Sequence, residues 1–94
     1  MNYGMKGRVA LVTGAAGGIG RATALAFARS EAEVVVSDVS EAGGAETVEM
    51  IRQAGGAAVF QPCDVSDARA VKALVQCALD TYGRLDFAHN NAGV

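Results

Sequence analysis

The chain has 94 residues, enough for one domain, and 51% of them are apolar, so it can bury a small core. Its formal charge of −2 with scattered Lys and Arg argues against nucleic-acid binding. The sequence has no apolar run that could cross a membrane, and we expect no signal peptide because residues 1–8 lack its apolar core. Cys63 and Cys77 match no metal or redox spacing, so we expect two small buried thiols, no metal site and a cytoplasmic location.

Four short apolar runs predict strands that are covered on both faces, at residues 9–12, 34–36, 57–60 and 85–88. Helical periodicity fills the gaps between them, at about residues 18–30, 41–54 and 67–82. Regular alternation of strand and helix favours an α/β fold with a doubly wound parallel sheet. The expected strand order is 3-2-1-4.

Periodicity also predicts which helix faces turn inward. The first helix should bury Ile19, Ala22, Leu25 and Ala26, and the second Ala45, Val48 and Ile51. The third carries one apolar stripe, with Ser66 as its N-cap and Gly83 at its end. The members of that stripe are Val71, Leu74, Val75, Ala78, Leu79 and Tyr82.

A glycine-rich turn joins the first strand to the first helix, in the order Thr13-Gly14-Ala15-Ala16-Gly17-Gly18-Ile19-Gly20. The backbone N–H groups at such a helix start bind phosphate oxygens. Gly14 permits a sharp turn, Gly18 leaves room for a pyrophosphate, and Gly20 lets the helix pack closely. The alternative is a glycine turn without a ligand; an ATPase-type phosphate loop is excluded because no G-K-[ST] follows.

Asp38 comes directly after the second apolar run, eighteen residues past Gly20. An acid at this place accepts hydrogen bonds from the adenosine ribose hydroxyls and repels a 2′-phosphate. Positions 37, 39 and 40 hold no Lys or Arg that would attract one. The sequence therefore predicts NAD as the cofactor rather than NADP, with an ordinary polar strand end as the alternative.

Asp64 and Val65 follow the third strand. A carboxylate there could accept from the adenine amino group, although a helix cap explains the neighbouring Ser66 and Asp67 equally well. We interpret Asp64 and Val65 as adenine contacts.

Asn90-Asn91-Ala92-Gly93 follows the fourth strand. The two amides could join strand ends, and the small residues could let the backbone lie against a ribose; a polar turn is the alternative. His89 beside them is interpreted as structural, because no obvious partner is near it in the sequence.

Together these three motifs resemble the classical short-chain dehydrogenase/reductase family over essentially the whole chain. Thr13-Gly14-x-x-x-Gly18-Ile19-Gly20 is similar to its cofactor motif, Asp64-Val65 to its adenine motif, and the Asn-Asn-Ala-Gly segment to its strand-four motif. Gly14, Gly17 and Gly20 would also suit the extended branch of the family, but the Asn-Asn-Ala-Gly segment favours the classical one.

The resemblance implies a Rossmann-type fold and an NAD-dependent oxidoreductase that passes hydride between cofactor and an alcohol/ketone pair. It places the turn on the pyrophosphate and Ile19 near the nicotinamide. The implied cofactor-binding residues are Gly14, Ala16, Gly17, Gly18, Ile19, Gly20, Asp38, Asp64, Val65, Asn90, Ala92 and Gly93. The full-length parent is expected to be a homo-oligomer that takes a small-molecule substrate, with no nucleic-acid or membrane partner.

One departure from the family pattern is large. The family uses a Ser and a Tyr-x-x-x-Lys pair for proton transfer, whereas Tyr3 is followed four residues later by Gly7, and Tyr82 by Asp86. We therefore expect residues 1–94 to be the N-terminal, NAD-binding part of one Rossmann domain, truncated after the fourth strand, with no catalytic residue and no turnover of its own. A non-catalytic dinucleotide-binding module is the alternative.

Overall fold

Valine-rich strands form the centre of the computed structural model, which describes residues 5–91. The first two strands are buried along almost their whole length, as strands covered on both faces must be. In chain order the elements are β1 (Val9–Thr13), α1 (Gly18–Arg29), β2 (Glu33–Asp38), α2 (Glu41–Gln53), β3 (Ala58–Pro62), α3 (Ala68–Tyr82) and β4 (Phe87–Asn90).

The four strands are parallel and lie in the order β3-β2-β1-β4, which confirms the predicted doubly wound sheet. Successive side chains of a strand point to opposite faces, so the sheet has two cores. One face packs against α1 and α2 through Ala24, Val48 and Ile51. The other packs against α3 through Leu74 and Ala78.

The inner face of α1 differs from the prediction except at Leu25, which is half-buried against the core. Its buried residues are Gly20 and Ala24, one turn apart, whereas Ile19, Ala22 and Ala26 are exposed. The helix lies too close to the sheet and the turn for large side chains, so the smallest residues take the contact. In α2 the same effect buries Gly44 against Phe60. Thr47 is buried because its hydroxyl bonds to Arg21 and to the Ala15 carbonyl, and the predicted Ala45 is exposed.

The ends of α3 agree with the prediction in part. Gly83 closes the helix in the left-handed conformation (φ 80°), as expected. The N-cap is Asp67 and not Ser66, because the Asp67 carboxylate accepts the Arg69 N–H at 2.9 Å while Ser66 bonds to Asp64. Within the apolar stripe, Leu79 is 42% exposed.

Both cysteines are free, but only Cys63 is buried; Cys77 is half-buried, which corrects the expectation of two buried thiols. Burial raises the pKa of the Cys63 thiol, and the nearby carboxylates of Asp64 and Asp67 raise it further. A buried thiol with a raised pKa is mostly protonated at neutral pH and packs as a small apolar group.

β4 begins at Phe87, two residues later than predicted, because Asp86 has another role. Its carboxylate accepts the Val9 N–H at 2.8 Å, while its own N–H donates to the Val9 carbonyl at 2.9 Å. Arg84 donates two hydrogen bonds to the same carboxylate, at 2.7 and 2.9 Å. Asp86 thereby fastens the start of β1 to the start of β4.

This fastening predicts a pH dependence. The Arg84 side-chain bonds and the Val9 N–H lower the pKa of Asp86. A carboxyl with a lowered pKa in the folded state stabilises the fold above its ordinary pKa, about 4, and loses that contribution as the pH falls through the folded value. Between pH 5 and pH 2, about the range of that loss, thermal unfolding of Asp86→Asn should shift less than that of the unmodified chain.

Asp80→Asn provides the matched control, since Asp80 lies exposed on α3 and bonds only to Gln76 among the described residues. That variant should keep the steep acid shift of the unmodified chain. Equal acid shifts in Asp86→Asn and in the unmodified chain would refute the role of Asp86.

Candidate functional site

The predicted site residues meet at the carboxyl edge of the sheet. β1 pairs with both β2 and β4, so the turn that follows Thr13 lies between the ends of those two strands. Asp38 ends β2 on one side, and Asn90 ends β4 on the other. A central strand whose neighbours connect in opposite directions creates a crevice at this edge, the usual ligand site of such sheets.

Two glycines give the turn its shape. Gly14 (φ 63°) and Gly18 (φ 56°) both have left-handed backbone, which side-chain-bearing residues rarely adopt. Between them, the Ala15 N–H donates to the Ser37 carbonyl at 3.0 Å, so the turn is fastened to β2. The backbone therefore reverses within a few residues and delivers the chain into α1.

The N-terminus of α1 has no side-chain cap. Gly17 is its N-cap and has no side chain to accept an N–H, whereas Ser40 and Asp67 cap α2 and α3 with theirs. No heavy atom lies within 4 Å of a methyl group placed on Gly17 or Gly18. The backbone at the start of α1 is therefore uncapped and open on the Cβ side of both glycines, as a helix start that binds an anion requires.

Gly20 makes the closest contact of the site. A Cβ on this residue would lie 1.9 Å from the carbonyl oxygen of Gly14 and 3.0 Å from the side chain of Asn91. Only glycine can occupy this place, so the first turn of α1 lies directly against the glycine turn.

Asp38 supports the turn as well as facing the crevice. One of its carboxylate oxygens accepts the Ala16 N–H at 3.0 Å, and the other accepts the Ser40 N–H at 2.9 Å. A carboxylate offers about four acceptor positions. Asp38 thus holds the turn in place and keeps acceptor capacity for further donors such as hydroxyl groups.

Asp64 and Val65 lie between β3 and α3. Asp64 is exposed, and one of its oxygens accepts both the N–H and the hydroxyl of Ser66, at 2.9 and 2.7 Å. The Ser66 hydroxyl and then its N–H lower the pKa of Asp64, so this carboxyl is ionised at neutral pH. Val65 borders an apolar cavity of about 310 Å³ between the sheet and α3, which also reaches Thr13 and Asn90.

The end of β4 is joined to the end of β1. The Thr13 hydroxyl donates to the Asn90 side-chain oxygen at 2.9 Å and accepts the Asn91 N–H at 3.0 Å. The strand ends are therefore joined as the sequence predicts for Asn90, through its side-chain amide, whereas Asn91 takes part through its backbone N–H. Thr13 is the partner of both, which sequence reasoning missed. Ala92 and Gly93 lie outside the described residues.

The remaining sequence-based interpretations concern Ile19, His89 and metal binding. Ile19 is 73% exposed at the start of α1, beside the crevice. His89 is also exposed, on β4. Across residues 5–91, His, Cys, Asp and Glu form no group of three that could hold a metal ion, and no helix is both long and apolar enough to span a membrane.

Comparison with known proteins identifies the family of this chain. The family model described as short chain dehydrogenase matches residues 8–94. The chain belongs to the short-chain dehydrogenase family. Sequence relatives include an oxidoreductase of Thermotoga maritima, 45% identical over 94 residues, and a 3beta-hydroxysteroid dehydrogenase of Mediterraneibacter gnavus, 46% identical over 100 residues.

Solved structures of the family share this fold. A hydroxysteroid dehydrogenase from Escherichia coli superposes with a TM-score of 0.92 at 38% identity, covering 96% of this chain and 38% of its own. A short chain dehydrogenase from Mycobacterium avium gives 0.91 at 43% identity, covering 96% and 36%. The matches to the two sequence relatives include the whole of this chain and 36% of each relative. The chain therefore spans a little over a third of the length of these family members.

Proposed function

We propose that this chain is the NAD(H)-binding part of an oxidoreductase that transfers hydride between the nicotinamide and an alcohol/ketone pair. The observation that carries the proposal is the N-terminus of α1. It has no side-chain cap, and open space lies beside Gly17 and Gly18. Backbone N–H groups at such an end attract a pyrophosphate without a charged side chain. When bound, the cofactor supplies the hydride chemistry.

The position of each residue in the glycine turn suggests its role in cofactor binding. Gly14, Ala16, Gly17, Gly18 and Gly20 would form the pyrophosphate cradle, with exposed Ile19 on the nicotinamide side. The open space at Gly17 and Gly18 is where a phosphate could approach the backbone. These residues hold and orient the cofactor; none of them moves a proton.

The adenosine end would lie along β2, β3 and β4. Asp64 would accept from the adenine amino group, with Val65 and its apolar cavity beside the ring. Asn90, Ala92 and Gly93 would line the ribose through their backbone.

Asp38 carries the preference for NAD. Its two oxygens have acceptor capacity left for the 2′- and 3′-hydroxyls, and its charge opposes a 2′-phosphate. Arg21 is the cation closest to the turn. Its guanidinium donates hydrogen bonds to two carbonyl groups and pairs with Glu46, so it is not available to attract a 2′-phosphate on the ribose.

We also propose that residues 1–94 are part of a single Rossmann domain whose proton-transfer residues belong to a longer, cytoplasmic, homo-oligomeric parent. The chain contains no Tyr-x-x-x-Lys sequence. The hydroxysteroid dehydrogenases among its relatives favour a secondary alcohol/ketone pair as substrate class. An open reading frame that continues past Val94 to a Tyr-x-x-x-Lys would support this against the alternative of a non-catalytic dinucleotide-binding module.

Titration of the chain with NADH and NADPH tests the cofactor assignment. Hydrogen bonds to a charged group contribute about 1.5–3 kcal/mol, so NADH should bind roughly ten to a hundred times more tightly than NADPH. Asp38→Ala should narrow that ratio, mainly through weaker NADH binding.

Asp38→Asn separates the two roles of the carboxylate, because an amide oxygen can still accept the Ala16 N–H while the charge is gone. This variant should also narrow the ratio, with its thermal stability closer to that of the unmodified chain than Asp38→Ala. Tighter NADPH binding by the unmodified chain would overturn the preference for NAD, and no binding of either cofactor would overturn the proposed function.

A further inference from the structure

The side of the glycine turn that faces α2 is held by Arg21. Its guanidinium donates to the carbonyl oxygens of Ala16 at 2.6 Å and Gly43 at 3.1 Å, and it pairs with Glu46 at 2.7 Å. The side chain is only 22% exposed. Its charge is therefore satisfied by acceptors of the turn and of α2, so Arg21 acts on the backbone of the protein and not on a ligand.

Thr47 completes the contact from within α2. It is fully buried, and its hydroxyl accepts the Arg21 Nε–H at 2.8 Å. The one hydroxyl proton is then donated to the Ala15 carbonyl at 2.6 Å, which is shorter than the 3.2 Å to the Gly43 carbonyl. Two consecutive carbonyls of the turn, those of Ala15 and Ala16, are thus bound from the α2 side.

Gly43 explains why α2 can lie so close. A Cβ there would be 2.7 Å from the Ala16 methyl and 3.1 Å from the Ala16 oxygen. The glycine weakens the first turn of α2 but lets the helix approach the turn as closely as the bonds of Arg21 and Thr47 require.

Because a peptide is planar, the bonds to the Ala15 and Ala16 carbonyls also fix the direction of the N–H groups that follow them. In a trans peptide the C=O and the following N–H point in opposite directions. Binding the Ala15 carbonyl to Thr47 directs the Ala16 N–H away from α2, where it meets Asp38. Binding the Ala16 carbonyl to Arg21 directs the Gly17 N–H away from α2 in the same manner. The turn is open beside this residue, since a Cβ on Gly17 would meet nothing within 4 Å.

We infer that Arg21 and Thr47 are positioning residues for the dinucleotide: Arg21 binds the Ala16 carbonyl and so aims the Gly17 N–H at the pyrophosphate, while Thr47 holds the Arg21 guanidinium and the Ala15 carbonyl in place. The inference rests on the proposed function, because it presupposes a pyrophosphate at this turn. It assigns the main effect to the phosphate part of the ligand, because Asp38 stays held by the Ser40 N–H and because Asp64 and Val65 belong to the segment between β3 and α3.

The test compares two ligands on the 94-residue chain: NADH, which carries the pyrophosphate, and adenosine, which has none. Thr47→Val removes the hydroxyl and keeps the shape, and it should weaken NADH binding about tenfold, the loss expected for one hydrogen bond to a charged group. Adenosine affinity should change less than about twofold on the same scale. Thr47→Ser restores the hydroxyl and should recover most of the NADH affinity.

Arg21→Met should give the same pattern as Thr47→Val, whereas Arg29→Met, at an exposed position of the same helix, should leave both affinities unchanged. The amide resonance of Gly17 should shift in Arg21→Met and in Thr47→Val and return in Thr47→Ser. If Arg21→Met fails to fold, the pair of Thr47 variants decides the question.

Parallel losses of NADH and adenosine affinity, or unchanged NADH affinity in Thr47→Val, would overturn the inference while leaving the proposed function intact. Failure of the unmodified chain to bind NADH would overturn both.

Discussion

Gly20→Ala is expected to abolish measurable NADH binding and to lower the free energy of unfolding by about 3 kcal/mol or more. The added methyl group would lie 1.9 Å from the Gly14 oxygen and 2.6 Å from the Gly14 carbonyl carbon. Both atoms belong to the backbone and cannot rotate aside, so α1 must move away from the turn. Movement of the helix start removes the N–H groups from the place where a pyrophosphate would lie.

Gly17→Ala is the matched control for this substitution. Its backbone is extended (φ −173°), which any residue adopts, and nothing lies within 4 Å of the added methyl. Denaturant unfolding of this variant should stay within about 0.5 kcal/mol of the unmodified chain. Comparable stability of the Gly17 and Gly20 variants would show that the close contact at Gly20 does not constrain the turn.

Leu74→Ala should destabilise the chain by about 3 kcal/mol, which for a domain of this size lowers the melting temperature by roughly 12–24 °C. Leu74 is 1% exposed and packs in the core between α3 and the sheet. Removal of three carbon atoms loses their burial and leaves a cavity in a core built mainly of small side chains.

The same substitution at Leu79 separates burial from residue type, since Leu79 lies on the same helix and is 42% exposed. Leu79→Ala should cost less than about 1 kcal/mol. Thermal unfolding followed by circular dichroism measures both variants. Equal losses would mean that the exposed side of α3 is covered in solution.

The sequence predicts the sheet well because the relevant signal is local. Continuous valine runs and regular helical gaps identify parallel strands, and the glycine turn marks where β1 becomes α1. The sequence does not predict which face of α1 packs on the sheet. That face is formed by Gly20 and Ala24, whereas periodicity gives most weight to large residues such as Ile19. Close packing here depends on the absence of side-chain volume, which a hydrophobic pattern does not register.

The site is predictable where its chemistry lies in consecutive residues and not where it depends on distant ones. Asp38 and the glycine turn stand out by position, whereas Arg21 and Thr47 are 26 residues apart and join through backbone carbonyls that have no sequence signature. The bond of Thr13 to Asn90 spans 77 residues. The local signals for this arrangement are weak: Arg21 directly follows Gly20, and Thr47 lies on the inner face of α2.

The two hydrogen bonds of Asp38 constrain how a cofactor preference could evolve at this site. A lineage that drifts toward the phosphorylated dinucleotide must lose the carboxylate charge, yet the Ala16 N–H still needs an acceptor. Replacement by a basic residue in one step would remove the charge and the acceptor together and loosen the loop before any gain in recognition. Asparagine is one nucleotide change from aspartate and keeps an acceptor for the Ala16 N–H. A change of cofactor preference at this site should therefore pass through a neutral polar residue.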